Sequence, residues 1–384
     1  MPVAHVITGL LVGGAESALA RLVSALPRAE FPTLVVSLLA EGPLAGPLRA
    51  AGAEVVSLGM RRGVPTPAAA WRLHGVLRRF RPAVVQGWMY HGNLGAWLGL
   101  RGRVRRVPLV WNIRQTLADL SREPRGTRAV ILAGAWLSPG VPMTVYNSEV
   151  AREQHAALGF RSPATVVIPN GFDLELFRPS EEARRSLREE LGQPDDALVV
   201  GLVNRLHPMK GHGTFLEAAR RVLDAGLQVT FVCAGRGVTP SDPGLEAAIR
   251  RLGLADRVRL LGERSDSPRL FAGFDVACMA SGWGEGFPNV VGEAMACGTP
   301  CVATRVGDTA ALLGPGGVVV PPADGEALAA GLLEVLSLPA AARRALGQRG
   351  RAHLAARYSL RASAERYAEL YRRLAVGRPG GDRA

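Results

Sequence analysis

Residues 200–215 read VGLVNRLHPMKGHGTF, and this stretch joins the end of a β-branched run to a short polar loop and a helical pattern. The run starts upstream as LVVGLV, which predicts a buried strand, and the helix is predicted to begin near Gly211. A strand, a glycine-containing loop and a helix in this order form the repeating unit of a parallel sheet with helices on both faces. The stretch therefore predicts an α/β fold.

The same unit recurs on both sides of this stretch. Before it, strand-like runs alternate with helical patterns, beginning with VAHVITGL and a helix from about Ala15 to Leu26. After it, the alternation continues through QVTFVCAG, DVACMAS, PCVATRV and GGVVVPP. At 384 residues the chain is too long for one ordinary core. We therefore predict two Rossmann-like, doubly wound domains facing a central cleft, with a ligand beyond the carboxyl ends of the strands.

A polar segment rich in Glu and Arg, residues 179–196, separates the two series and predicts the join between the domains. The predicted bounds are 1–178 for the first domain and 179–358 for the second. The last helix, around residues 360–375, has an apolar stripe typical of a helix that packs on a core. We expect it to return to the first domain, so that residues 359–384 complete that domain.

Composition excludes several classes of protein. The most apolar run, residues 129–147, is broken by Ser, Pro and Gly and falls short of a membrane span, so it predicts a helix end followed by a strand. The first residues lack the pattern of a secretion signal, and we expect a cytoplasmic protein. Of the four cysteines only Cys297 and Cys301 are close in sequence, which favours reduced core thiols over a zinc site.

The positive charge is concentrated in the first half of the chain. The net charge is +13, and residues 1–177 hold 19 arginines against 10 acidic residues. Such a surface attracts anionic partners such as acidic lipid headgroups, while a merely solvated arginine face is an equally good interpretation. Nucleic acid is disfavoured as a partner, because only 5% of residues are aromatic and no nucleic-acid-binding module is present.

Two glycine-containing loops are candidates for holding an anion. Gly13 and Gly14 follow the first predicted strand and precede a helix, whose amides could face a phosphate, although a simple tight turn explains them as well. In the second loop, Arg205 lies at the end of a predicted strand and Lys210 lies just before the next predicted helix, and Lys210 is the only lysine among 46 basic residues. A guanidinium fork and a compact ammonium together suit a diphosphate.

The segment SGWGEGFPNVVGEAMACGTP, residues 281–300, carries two glutamates around a predicted helix start near Pro288. Glu285 precedes that start, and Glu293 lies about a turn and a half inside the helix. Carboxylates accept hydrogen bonds from vicinal hydroxyl groups, and the amides between them bind anions. The order predicts a site for a sugar, a phosphate and a ribose.

Several motifs in order carry a resemblance to a known family: VGGAES, VYNSEVAREQHAALGF, VIPNGFD, NRLHPMKG and EGFPNVVGE. With them the chain resembles the retaining nucleotide-sugar glycosyltransferases of the GT-B fold, family 4 (group 1). The resemblance implies transfer of a sugar from a nucleoside-diphosphate sugar to a glycan, a lipid-linked or another acceptor, as in cell-surface polysaccharide or glycolipid synthesis. It implies no cofactor beyond the donor substrate, and the basic first half adds contact with an anionic membrane as a hypothesis.

The resemblance also implies roles for particular residues. It implies catalytic roles for His91, Arg205, Lys210 and Glu285, and donor contacts for Gly13, Gly14, Arg264, Gly286, Phe287, Asn289, Val290 and Glu293. One position departs from the pattern, because Asn204 stands where many relatives have a glycine before the arginine. The departure leaves open how closely the backbone approaches the phosphates.

The sequence favours metal-independent transfer, because it contains no Asp-x-Asp motif. It offers no convincing carboxylate nucleophile, which favours attack by the acceptor on the same face that the diphosphate leaves. Two alternatives stay open: a nucleotide-sugar 2-epimerase of the same fold, and a non-catalytic nucleotide-sugar-binding subunit. The donor base and sugar, the acceptor and the oligomeric state cannot be predicted from the sequence.

Overall fold

A computed structural model describes residues 1–60, 67–100, 107–117 and 119–376. The chain divides into two compact units. Unit 1 comprises Met1–Gly171 and the chain from Leu360 onward, and unit 2 comprises Phe172–Ser359.

Both units are built from parallel strands and intervening helices. The strands of unit 1 are β1 (Val3–Ile7), β2 (Thr33–Ser37), β3 (Glu54–Ser57), β4 (Val84–Trp88), β5 (Leu109–Ile113), β6 (Met143–Tyr146) and β7 (Ala164–Val167). Its helices are α1 (Gly14–Ala25), α2 (Ala45–Ala50), α3 (Pro67–Phe80), α4 (Met89–Gly99), α5 (Arg125–Leu137), α6 (Glu149–Ala157) and, at the end of the chain, α15 (Leu360–Val376).

Unit 2 repeats the alternation. Its strands are β8 (Leu198–Val203), β9 (Val229–Ala234), β10 (Val258–Leu260), β11 (Val276–Met279), β12 (Cys301–Thr304) and β13 (Gly317–Val320). Its helices are α7 (Glu181–Leu191), α8 (His212–Asp224), α9 (Pro243–Arg251), α10 (Ser267–Gly273), α11 (Asn289–Ala296), α12 (Thr309–Leu313), α13 (Gly325–Leu336) and α14 (Ala340–Tyr358).

Each sheet reverses its strand order once. The order is β3-β2-β1-β4-β5-β6-β7 in unit 1 and β10-β9-β8-β11-β12-β13 in unit 2, and the pairings are parallel. The reversal lies between β1 and β4 in the first sheet and between β8 and β11 in the second. In doubly wound sheets a ligand crevice opens at this reversal, outside the carboxyl ends of the strands.

The strands read as continuous apolar runs because helices cover both faces. All five residues of β1, VAHVI, are buried, as are all six of β9, VTFVCA. The four cysteines are buried and free, in agreement with the prediction of core thiols, and burial raises the pKa of the Cys233 thiol to about 12. These thiols are packing residues.

The boundary between the units differs from the predicted one. The prediction ended the first domain at residue 178, whereas unit 2 begins at Phe172. The reason is packing: Phe172 and Phe177 are buried in the core of unit 2, and the Phe172 ring lies where a side chain on Gly292 would clash. At the other end, α15 buries Tyr367 and Tyr371 in a core of unit 1, as expected for a returning helix, while residues 377–384 lie outside the described part.

The polar segment at residues 179–196, where the join between the domains was predicted, lies wholly inside unit 2. It forms α7, which begins after the cap Ser180 and ends at Gly192 in a left-handed conformation. Leu187 and Leu191 are buried in the core of unit 2. The charged residues obscured this helix in the sequence because its apolar face is narrow.

Within the described residues, no single helix is long and apolar enough to cross a membrane. The helices α13 and α14 together reach that length and composition, but they meet at an angle of 111°.

Candidate functional site

The candidate site of unit 2 lies where its sheet reverses. Strands β8 and β11 are neighbours, with Val200 opposite Val276, so their carboxyl ends meet at one edge of the sheet. The loop after β8 carries Arg205 and Lys210, and the loop after β11 carries Glu285. The structure therefore brings the two most informative segments of the sequence to the same crevice.

Lys210 and Glu285 form an ion pair across this crevice. The Lys210 Nζ lies 2.5 Å from the Glu285 Oε1, and the Ser281 hydroxyl donates a hydrogen bond of 2.7 Å to the same oxygen. The side chains are largely buried, with 14% of Lys210 and 12% of Glu285 exposed. Because the ammonium has three donors, one bond to a carboxylate leaves it able to donate to an anion.

The backbone of the two loops is in direct contact beside this pair. The amide of Gly282 donates to the carbonyl of Met209 at 2.8 Å. Gly211 has a φ of +66°, and a Cβ atom there would lie 1.9 Å from the carbonyl oxygen of Ala280. Glycine is required after Lys210 both by the left-handed backbone and by this close approach.

Arg205 lies on the same side of the unit as Lys210. The pKa of His207 is lowered mainly by burial, and the positive charges of Arg205 and Lys210 lower it further. Both cations therefore lie near the His207 ring. Arg205 is exposed, and no hydrogen bond or ion pair holds its guanidinium within the part of the chain that the structure describes. It is a cation that faces solvent beside a fixed ammonium.

The start of α11 follows Glu285. The helix begins at Asn289, and Pro288 is the cap residue instead of the predicted first helical residue. No cap side chain binds the first amides, and the first turn holds no acidic residue. The predicted donor contacts of Gly286, Phe287, Asn289 and Val290 thus lie at the positive end of a helix. The Phe287 ring is buried against Phe172, so the predicted donor contact of Phe287 is a contact of its backbone.

A third loop, which follows β12, supports this turn. The amide of Asp308 donates to the Gly286 carbonyl at 2.9 Å. Gly307 has a φ of +54°, and a Cβ atom there would lie 2.1 Å from the Glu285 carbonyl oxygen. Sequence reasoning missed Gly307, because a single glycine outside a motif carries no signal of its own. It also gave no role to Ser281, the first residue of the segment 281–300, because the sequence does not show which carboxylate its hydroxyl binds.

Glu293 lies in the second turn of α11 and is half-buried. Burial raises the pKa of the Cys297 thiol to about 12, and the Glu293 carboxylate adds to this rise, which places its charge near the Cys297 side of the helix. The structure thus puts both glutamates on one loop-helix segment, and their predicted ligands stay predictions.

Asn204, the departure from the family pattern, is buried between two loops. Its carbonyl oxygen lies 2.1 Å from where a Cβ atom on Gly235 would be, and its amide donates to the Ala234 carbonyl at 2.8 Å. Its side chain is 8% exposed, and among the described residues nothing pairs with its Nδ2. An amide donor without a partner therefore stands next to Arg205.

Arg264 is engaged with carboxylates of unit 2. Its guanidinium pairs with Glu190 at 2.7 Å and with Asp266 at 2.8 Å. These hydrogen bonds raise the pKa of Arg264. The side chain therefore orders the loop after β10. A donor contact of Arg264 stays a prediction, and the backbone of this residue would make it.

In unit 1 the remaining predicted residues lie at the equivalent reversal. Ile7 ends β1 opposite Trp88, the end of β4. The loop after β1 leads to Gly13, the cap residue of α1, and to Gly14, and α4 with His91 follows β4 directly. The Glu16 carboxylate lies 2.5 Å from where a Cβ atom on Gly13 would be, so it covers the start of α1.

His91 lies in the first turn of α4, and it is half-buried. Burial lowers the pKa of its imidazole, which favours the neutral ring. The turn is strained, because Met89 has a φ of +60°. This first turn of α4 also packs closely against β1, because a Cβ atom on Gly92 would lie 2.5 Å from the Val6 carbonyl oxygen.

Arg114, which the sequence reasoning did not single out, lies at the same edge directly after β5. Its guanidinium stacks over Trp88 at 5.3 Å and donates to the Tyr367 hydroxyl at 2.9 Å. It also bonds the side chains of Asn112 and Asn170. All these partners are neutral, so Arg114 brings an uncompensated positive charge to the edge near His91.

No group of three or more metal-ligating side chains occurs in the described ranges. The ionisable groups described above are instead Arg205, Lys210 and two glutamates at the reversal in unit 2. At the reversal in unit 1 they are Arg114, Glu16 and the neutral His91.

Comparison with known proteins gives the family. Residues 12–176 match the family model described as glycosyltransferase family 4, and residues 197–337 match that of glycosyl transferases group 1. The chain is 34% identical over 310 residues to the D-inositol 3-phosphate glycosyltransferase of Segniliparus rotundus, covering 79% of this chain and 67% of the relative. The chain belongs to family 4 of the glycosyltransferases.

Other members of the glycosyltransferase family show the extent of the match. The D-inositol 3-phosphate glycosyltransferase of Corynebacterium urealyticum is 35% identical over 296 residues, 69% of this chain and 67% of the relative. That of Mycobacterium marinum is 32% identical over 238 residues, 61% of this chain and half of the relative.

Solved structures show that this glycosyltransferase has the GT-B fold. Anabaena HepE, crystallised with UDP and glucose, has a TM-score of 0.83 with 23% identity, and the match covers 97% of this chain and 100% of HepE. Sucrose-phosphate synthase from Thermosynechococcus elongatus has a TM-score of 0.81 with 21% identity over 97% and 98% of the two chains. The predicted family and fold class are confirmed.

Proposed function

We propose that this glycosyltransferase moves a sugar from a nucleoside-diphosphate sugar to an acceptor hydroxyl, without a metal ion and with retention at the anomeric carbon. The observation that carries the proposal is the Lys210–Glu285 pair in the crevice between β8 and β11, with Arg205 nearby and an uncapped helix start following. Family membership supports the reaction class, and the arrangement of charges supports the type of donor.

The leaving diphosphate gains negative charge as the sugar–phosphate bond breaks. The Lys210 ammonium and the first amides of α11 stabilise that charge without moving, because Lys210 is held by Glu285 and the amides belong to a helix. The exposed Arg205 guanidinium adds a second positive charge beside them. Lys210 remains bound to Glu285 and still has donors for a phosphate oxygen. A planar guanidinium at this position would lack that freedom, which explains the single lysine.

The acceptor oxygen forms its bond to the anomeric carbon on the face that the diphosphate leaves. The acceptor proton passes to the departing diphosphate oxygen, so no side chain takes it. Glu285 holds the sugar hydroxyls and Glu293 the ribose hydroxyls. The family resemblance gives His91, with its neutral imidazole, a contact with the transferred sugar and gives Gly13 and Gly14 contacts with the donor, and these roles form part of the proposal.

The donor nucleotide is proposed to be uridine diphosphate. The support is that the fold neighbour HepE was crystallised with UDP and with UDP-glucose. The sugar is left open, because loop shape selects it.

The acceptor is proposed to be a hydroxyl compound that carries a phosphate, either free or linked to a lipid. Three relatives are named as acting on D-inositol 3-phosphate. In unit 1, the partners of Arg114 described above are all neutral. Its positive charge is therefore available to a phosphate near the reversal of the sheet. The excess of arginine in residues 1–177 adds long-range attraction.

A cytoplasmic location with contact to an anionic membrane, as in polysaccharide or glycolipid synthesis, forms part of the proposal. The support is helix α3, where Trp71 is 77% exposed and Arg72 and Arg78 are also exposed. Arginine beside an exposed tryptophan suits the interface of acidic lipids. Co-sedimentation with anionic but not neutral vesicles, weakened by Arg78→Glu and not by Arg250→Glu on α9, tests this part.

The reaction is tested with purified full chain, a panel of nucleotide sugars, and inositol with or without a phosphate, in the presence of EDTA. We expect one uridine nucleotide sugar to raise the melting temperature by mass action and to transfer its sugar only to the phosphorylated compound. NMR of the product should show the same anomeric configuration as the donor. Loss of transfer in EDTA, or an inverted product, would contradict the mechanism.

The two alternatives give different results in the same experiment. A 2-epimerase converts donor alone into an epimer without acceptor. A non-catalytic subunit binds donor but shows neither transfer nor slow donor hydrolysis, and it tolerates Lys210→Ala. Either outcome would replace the proposal.

A further inference from the structure

Unit 2 contains a second cationic cavity, on the opposite edge of its sheet from Lys210. Its lining includes Asp275, which immediately precedes β11, and Thr299 and Pro300, which precede β12. It therefore opens at the amino ends of the strands, whereas Lys210 and Glu285 follow their carboxyl ends. The cavity has a volume of about 130 Å³ and is partly open to solvent. We call it the arginine cavity, after Arg184, Arg343 and Arg344 in its lining.

The arginine cavity holds more positive than negative charge. Asp275 is the buried carboxylate, and it accepts from Arg188 at 2.6 Å and from Arg184 at 2.8 Å. Arg343 approaches the same carboxylate at 3.5 Å. One acidic group thus faces three guanidinium groups, and a single negative charge does not neutralise them.

Arg344 adds a fourth positive charge at the mouth. It is exposed, and within the described parts of the chain it makes no hydrogen bond and no ion pair. Glu181, also exposed, is the other carboxylate of the lining. The lining itself holds three arginines, Arg184, Arg343 and Arg344, against the carboxylates of Asp275 and Glu181. The buried Arg188, which pairs with Asp275 beside the cavity, adds a further positive charge, so positive charge is in excess here.

Two helices also begin at this cavity. Ser180, the cap of α7, and Ala340, the first residue of α14, are both in the lining. The cap of α14 is Pro339, whose side chain accepts no hydrogen bond, and the first turn is a run of alanines. No side chain therefore covers the first amides of this 19-residue helix, which adds the positive end of its dipole to the charge of the arginines.

We propose that the arginine cavity is a second anion site that binds a phosphate group, either inorganic phosphate or the phosphate of a small phosphomonoester. Arg344 supplies a free guanidinium fork, Arg184 and Arg343 supply a fixed positive field, and the start of α14 supplies amides. The volume accommodates more than a bare phosphate, which admits an ester. This site is independent of the proposed donor site, because the two lie at opposite edges of one sheet.

Titration of the full chain with inorganic phosphate, and separately with glycerol 3-phosphate, tests the site by calorimetry. The background carries Lys210→Ala, so that phosphate bound at the donor site does not contribute. We expect Arg344→Glu to weaken phosphate binding about tenfold or more, as for the loss of a charge-assisted hydrogen bond and reversal of its charge. Arg349→Glu, on the same helix but outside the lining, is the matched control and should change binding less than about twofold.

Three outcomes would overturn the proposal. They are absence of binding at millimolar phosphate, equal weakening by Arg344→Glu and Arg349→Glu, and loss of all binding on introduction of Lys210→Ala alone. Gln348→Glu, which places a negative charge at the same cavity without removing an arginine, gives a second measurement. It should also weaken binding, and unchanged affinity would count against the site. Stronger binding of glycerol 3-phosphate than of inorganic phosphate identifies an ester as the ligand, and the reverse identifies the free ion.

Discussion

The only lysine of the chain, Lys210, forms an ion pair of 2.5 Å with Glu285, and the two residues come from loops that follow neighbouring strands. Replacing Lys210 by alanine removes a fixed charge from the site of the leaving diphosphate. We expect kcat to fall about 10²- to 10³-fold while donor affinity changes by less than about tenfold, as for other preorganised charges. Single-turnover kinetics with saturating donor measure the first effect.

Lys210→Arg distinguishes charge from geometry at this position. Because a guanidinium is planar and cannot bond Glu285 and a phosphate in the same way, we expect it to restore little of the lost rate. Arg250→Ala, in an exposed pair on α9, is the control and should leave kcat unchanged. Full activity of Lys210→Arg would show that only the charge matters.

The two glutamates should separate in their kinetic effects. Glu285→Gln loses the carboxylate that binds Lys210 and Ser281, and we expect mainly a decrease in kcat. Glu293→Gln, eight residues further on in the second turn of α11, should raise the donor KM about tenfold through a weaker charge-assisted hydrogen bond, with little change in kcat. Steady-state kinetics with varied donor measure both, and identical profiles for the two variants would refute the separate roles.

Gly211→Ala should damage the site through the backbone. Gly192 has nearly the same left-handed conformation, with φ of +63° against +66°, but nothing lies within 4 Å of its added Cβ atom. We expect Gly192→Ala to cost about 1 kcal/mol of unfolding free energy, and Gly211→Ala more than about 3 kcal/mol because of the clash with Ala280. Denaturant unfolding measures both, and a similar loss in the two variants would contradict the close approach of the loops.

Three buried histidines should make the fold sensitive to acid. Burial lowers the pKa of His5 to about 3 and the pKa values of His155 and His212 to about 4. In the unfolded chain these groups bind protons below about pH 6.5, so the unfolded state binds more protons than the folded state between that pH and 4. Stability should therefore fall as the pH is lowered from 7 to 4, by about 1.4 kcal/mol per pH unit for each histidine.

His212→Gln tests this pH dependence. The variant should unfold with a shallower dependence on pH than the unsubstituted chain between pH 6 and 4, whatever its stability at pH 7. Thermal unfolding at half-unit steps of pH measures the slopes. Parallel curves for the two proteins would show that His212 is protonated in the folded state.

The fold class could be predicted because parallel strands buried on both faces read as apolar runs, as in LVVGLV before Arg205. The order of the strands was not readable in the same way, and it is the order that brings Lys210 next to Glu285. The segment of α7 was predicted to be the join between the domains because its buried Arg188 looks like a solvated charge in the sequence, although Asp275 binds it inside the unit. The local sequence pattern predicts helices and strands, whereas contacts with residues distant in the sequence decide which side chains are buried.

The candidate site was predicted in part. Lys210 and Glu285 stood out by rarity and spacing, and the structure brings them together. Ser281, Gly307 and Arg114 did not stand out, because their importance lies in contacts with loops that are far away in the chain. Arg264 illustrates the reverse case, since its position in the sequence suggested a ligand contact while its guanidinium binds Glu190 and Asp266.

The position of α15 has a consequence for how the protein is made. Tyr371 donates a hydrogen bond to Gln86, 285 residues earlier, and Tyr367 and Tyr371 both belong to a core of unit 1. A ribosome therefore completes all of unit 2 before it releases the segment that closes unit 1. During translation the core of unit 1 therefore stays incomplete until α15 is made, whereas unit 2 is complete earlier and is able to fold first.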